Sequence, residues 1–147
     1  MDVEGLLDAE DAGWRALHAT LDRLTPDLMQ RPGLNDEGWS AKDLTFHIGA
    51  WLAECGIQLE RIRMGTYAEP DQDTDEMNRE FLEASRGMDL DMVFAELHAS
   101  RNRALQAFGA LPEVTPDAWE WFEESGPVHF EEHRKELETW ADQLLGG

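Results

Sequence analysis

Val3, Leu7, Trp14, Leu17, Leu21 and Leu24 recur at helical steps, with Glu10 the one polar interruption of their stripe. This spacing predicts an amphipathic helix that ends before Thr25-Pro26. Residues 25–38, TPDLMQRPGLNDEG, carry two prolines and two glycines and are read as a loop. A second helix has a clear start: Ser40 as N-cap, Asp43 as its capping-box partner, and Trp39 placed to staple onto Leu44. Its apolar stripe is Leu44, Ile48, Trp51, Cys55, Leu59 and Ile62, stopping near Gly65.

The acidic stretch from Tyr67 to Asp75 is expected to be a loop, and Glu76 to Ala84 a short helix. A third long helix starts at Asp89 or Leu90 and runs to about Phe108, with Leu90, Phe94, Leu97, Ala104 and Phe108 inward. Prolines 112 and 116 mark a connection, followed by an aromatic patch of Trp119, Trp121 and Phe122. Pro127 suits the first turn of a last helix that ends at Leu145-Gly146-Gly147. No run alternates long enough to be a strand. Four long amphipathic helices predict an all-α chain, an up-and-down four-helix bundle formed as one domain over residues 1–147.

Composition narrows the function. The 147 residues are 41% hydrophobic and spread their aromatic groups along the chain, which argues against disorder. With 32 acidic against 12 basic residues the formal charge is -20, so such a surface repels nucleic-acid backbones and anionic membranes. No stretch reaches the roughly 20 apolar residues of a membrane span, and the start lacks the pattern of a signal peptide. Cys55 alone cannot form an internal disulfide. A cytoplasmic protein is expected.

Of the five histidines, three fall on apolar faces. The last helix presents His129, His133, Leu137, Trp140 and Leu144 along one stripe, and a four-residue step turns a helix by about 400°, so both imidazoles leave one side. HFEEH shares only its spacing with the zincin HExxH signature, because Phe130 follows the first histidine. His47 lies between Leu44, Ile48 and Trp51 on the second helix. In an up-and-down bundle it would stand at nearly the height of His129 and His133, since a helix rises ~1.5 Å per residue. Three neutral imidazoles at one level are costly to bury unless they share a partner, and a divalent metal is such a partner. The plain alternative is a set of hydrogen-bonded core histidines.

The segments GWSAKDLTFHIGAWLAE (38–54) and HFEEHRKELETW (129–140), with EMNREFL (76–82), resemble the DinB-like superfamily of small four-helix bundles. That group includes the mycothiol-dependent maleylpyruvate isomerase metal-binding domain, bacillithiol transferases and a branch of cyclopropane hydrolases that protect against a genotoxin. The resemblance covers essentially the whole chain. It implies a metal triad of His47, His129 and His133, zinc or nickel as the ion, and a low-molecular-weight thiol as cosubstrate. It does not fix the reaction.

The expected activity is therefore a divalent-metal-dependent one: a thiol-dependent S-transferase or isomerase acting on a small electrophile. Metal-dependent hydrolysis, as in the cyclopropane hydrolase branch, is one alternative. A non-catalytic bundle holding a hydrophobic small molecule is the other. Around the triad, His18 and Asn78 are candidates to line the cavity, and Trp119 and Trp121 to wall its mouth. Asp43 serves either the helix cap or the His47 ring. Glu132 and Glu136 are candidate bases or solvated side chains, while His98 and Cys55 are read as ordinary. Arg134, Arg101 and Arg103 are the cations available for a thiol's carboxylates. A homodimer, tightened by salt, is the expected association.

Overall fold

The computed structural model describes residues 2–146, and among these the chain is all-helical with no strand. In chain order the helices are α1 (Val3–Leu21), α2 (Pro26–Met29), α3 (Ala41–Met64), α4 (Thr74–Arg86), α5 (Leu90–Gly109), α6 (Pro116–Glu123) and α7 (His129–Leu144). The four long helices expected from the sequence are α1, α3, α5 and α7. None of the described helices is long and apolar enough to cross a membrane.

Local chemistry sets the helix ends. The carboxylates of Asp2, Asp73 and Asp89 accept the N–H of Gly5, Glu76 and Met92, capping α1, α4 and α5. At α3 the capping box is complete. Ser40 N–H donates to Asp43 Oδ2 at 2.9 Å, and Asp43 N–H donates to Ser40 Oγ at 3.1 Å. The helix stops at Met64 because Gly65 takes φ +76°, a left-handed value that closes a C-terminus.

The chain forms two compact units. The first runs up to Leu44 and resumes at Glu123. Here α1 packs on α7, and the open side of Gly13 faces the Phe130 ring, 3.4 Å from where a Cβ would stand. Trp14 and Phe130 lie 5.7 Å apart by ring centroid, and Leu6, Leu17, Leu21, Leu137 and Ala141 complete the buried set. Arg23 donates to Asp142 at 2.7 Å. In the loop before α3, Asn35 Oδ1 accepts from the backbone N–H of Glu37 and Trp39, fixing the approach to the Ser40 cap.

The second unit is Thr45–Phe122. There α3 lies against α5 through two glycines seven residues apart, Gly49 beside Leu97 and Gly56 beside Ala104. Trp51 Nε1–H donates to Asn78 Oδ1 at 2.8 Å, and its ring meets Phe81 edge-on, which ties α4 to α3. Phe108 stacks on Phe122 with centroids 4.2 Å apart.

Several expectations need correction. The first helix ends at Leu21, three residues before Leu24, although Leu24 is buried. The loop after it contains α2, a single turn with Thr25 as cap and Pro26 at its first position. The short helix α4 is longer than Glu76–Ala84, because Asp73 caps it earlier. On α5 the buried row is Val93, Leu97, Ser100, Ala104 and Phe108, with Leu90 and Phe94 only half-buried. The aromatic patch at 119–122 is helical, as α6. Pro127 does not begin the last helix. It lies in a wide π-type turn, Glu124–Val128, where Gly126 has non-helical φ −100° and ψ −107°. A proline lacks an N–H and disfavours helical geometry in the residue before it, so the backbone breaks here and restarts at His129.

The two α3 glycines make a test. Alanine in place of helical glycine gains about 0.5–1 kcal/mol from propensity alone. A Cβ at Gly56 would meet its nearest neighbour at 3.7 Å, whereas at Gly49 it would press on the Leu97 Cα at 3.2 Å. Gly56→Ala should therefore raise stability in urea denaturation, and Gly49→Ala should lower it.

Candidate metal centre

The wide turn ends at Val128, so His129 is the first residue of α7 and His133 follows one turn later. Their Nε2 atoms stand 2.8 Å apart, with ring centroids at 4.4 Å and planes nearly perpendicular. His133 is 8% exposed and His129 half-buried. Phe130, between them in sequence, faces α1 and is fully buried, so it anchors the turn that carries both imidazoles. His47 sits on the second turn of α3, just past the capping box on an unbroken helix, and is 7% exposed.

One ring nitrogen from each of His47, His129 and His133 lies within 4.8 Å of the others. The three histidines singled out in the sequence are thus the three that converge. His18 is outside this group. Its ring lies on Trp14 at 4.2 Å, with Nδ1 3.1 Å from the Trp14 carbonyl. His98 is exposed and Cys55 buried.

The donor set suits a divalent ion. Imidazole favours zinc, copper, iron or nickel. Two nitrogens at the usual 2.0–2.1 Å from a tetrahedral zinc stand about 3.3 Å apart. The 2.8 Å between the Nε2 atoms is close to that value. Without an ion the same pair makes a hydrogen bond, one Nε2 donating to the other.

The carboxylates nearby divide by direction. Glu136 Oε1 accepts from His133 Nδ1–H at 3.2 Å. Glu132 is exposed and turns the other way, onto a shallow cavity of about 630 Å³ beside Leu6, Pro127 and Val128 that includes none of the three histidines. Glu132 is therefore not placed as a base at the histidines. Asp43 holds the α3 cap.

Arg134, the cation closest in sequence to the pair, is already engaged. Its guanidinium forks onto Glu131 at 2.9 and 2.7 Å and reaches Glu138 at 2.7 Å. The Glu131 hydrogen bond holds Arg134 above its ordinary pKa and, in return, holds the Glu131 carboxyl below the usual carboxylate range. Arg103 donates to Ser100 at 3.3 Å and lies 4.0 Å from Glu96. Asn78 accepts from Trp51, and Trp121 Nε1–H donates to the Tyr67 hydroxyl at 3.1 Å. Trp119 is half-buried on α6.

The mycothiol maleylpyruvate isomerase N-terminal domain family matches residues 11–141. The chain belongs to that family, a metal-binding group with the DinB-like helical bundle fold. A crystal structure of an uncharacterised protein from Escherichia coli UTI89 has a similar fold, with a TM-score of 0.79 at 14% identity over 94% of this chain and 91% of that one. No curated protein matches the chain.

The role of Asp43 is testable without substrate. Ser40→Ala and Asp43→Ala should each lower stability by about 1 kcal/mol, the size of a lost cap. A much larger loss for Asp43→Ala alone would give that carboxylate a second task.

Proposed function

We propose that this protein is a divalent-metal-dependent enzyme in which His47, His129 and His133 hold zinc or nickel beside a small electrophilic substrate. The supporting observation is the convergence of three imidazole nitrogens within 4.8 Å, two of the rings being buried. A divalent ion bound there would lower the pKa of a coordinated thiol or water, and three protein ligands would leave positions open for it.

The chain's own groups divide the remaining work. Glu136 steadies the His133 ring, and Ser40 with Asp43 fixes the start of the helix that carries His47. Leu44 and Ile48, on either side of His47 along α3, are buried. Thiol-dependent S-transfer or isomerisation is the first reading, and it leans on the family description, which names mycothiol and maleylpyruvate isomerase. Hydrolysis is the second. It is favoured by the engagement of Arg134 with Glu131 and Glu138, which leaves that cation poorly placed to receive a thiol's carboxylate.

Elemental analysis of untagged protein tests the proposal, with about one equivalent of zinc or nickel expected. His133→Gln should cut that content sharply and leave the fold intact, because Phe130, Leu137 and Ala141 still bury α7. Unchanged metal content with lowered stability would instead make His133 a core residue and end the reading. Consumption of an electrophile only when a cellular thiol is added would select transfer or isomerisation. Equal consumption without thiol would select hydrolysis.

A further inference from the structure

We infer that Glu136 is a positioning residue that fixes the tautomer of His133 and so presents its Nε2 lone pair to the site, an inference that rests on the metal reading above. Glu136 lies three residues past His133, on the same face of α7 one turn on. Its Oε1 is 3.2 Å from His133 Nδ1. An ionised carboxylate only accepts hydrogen bonds, and a neutral imidazole carries one N–H. The proton of His133 therefore sits on Nδ1, and Nε2 keeps its lone pair. That Nε2 is the atom 2.8 Å from His129 Nε2.

The two histidines of the HxxxH pair are consequently unequal. His133 is already in the form that ligates through Nε2. His129, facing a lone pair, donates its Nε2–H in the metal-free protein and must move that proton to Nδ1 before Nε2 can ligate. The exposure of the partners fits this division: the His133 side chain is 11% exposed and that of Glu136 42%, so the carboxylate reaches in from solvent to a ring held inside. Outer carboxylates of this kind orient ligating histidines and raise their basicity. Because Glu136 is exposed, its replacement should leave the fold standing.

Nitrogen-15 imidazole NMR of the metal-free protein, above the ordinary histidine titration range, reads the tautomers directly. The expected result is Nδ1–H for His133 and Nε2–H for His129. Glu136→Ala should give His133 mixed tautomers and weaken zinc binding, measured by chelator competition, by about 10–100-fold. Glu136→Gln, whose amide oxygen still accepts, should keep the tautomer and most of the affinity. A His133 tautomer unchanged in Glu136→Ala overturns the inference, as does a shifted tautomer with zinc affinity within about twofold of the parent. If the parent itself binds no zinc, the metal reading falls and the ligand-positioning role with it. The NMR comparison would then show separately whether Glu136 holds the ring.

Discussion

A buried imidazole nitrogen needs a partner, and this chain brings one ring nitrogen from each of three imidazoles within 4.8 Å of the others. Leaving such a group without a hydrogen bond or a ligand costs roughly 1–3 kcal/mol by protein mutational measures. The pair on α7 meets that constraint by setting two Nε2 atoms 2.8 Å apart, and Glu136 then decides which of them can donate. A shared cation would satisfy all three rings at once.

The surrounding architecture serves to hold this geometry. Phe130 between α7 and α1, set against the open side of Gly13, locks the turn on which both histidines stand. The break at Gly126-Pro127 lets α7 begin afresh at His129 instead of continuing α6. The charge pattern acts in the same direction. Glu131, Glu132, Glu136 and Glu138 outnumber Arg134 and Lys135 on α7, and the chain carries -20 overall, so the field near the histidines attracts a cation and resists anionic ligands.

Much of this was legible in the sequence. The capping box at Ser40 and Asp43 and the stripes of the long helices are local or periodic signals, and local chemistry alone enforces them. The histidines were legible because a four-residue step and an apolar neighbourhood together specify a direction. Other features lacked such a signal. α2 is one turn, too short to show a period, and in α6 the two tryptophans two residues apart obscure the helical step. On α5 the large Phe94 suggested an inward face that the smaller Val93 takes. Glu10, read as an interruption, is buried at 2% exposure beside Gly126, and Phe130, read only as the residue that spoils a zincin motif, is the anchor of α7. Sequence spacing also left Glu132 and Glu136 equivalent. Only side-chain direction separates the one on the outer cavity from the one on His133.

The most direct test of the account is X-ray absorption at the zinc edge of the zinc-loaded protein. Three imidazole nitrogens are expected at about 2.0–2.1 Å, with the multiple scattering of histidine rings and one or two further light-atom ligands. A shell of oxygen ligands without imidazole scattering would contradict it, because the ion would then be held by the acidic surface and not by His47, His129 and His133.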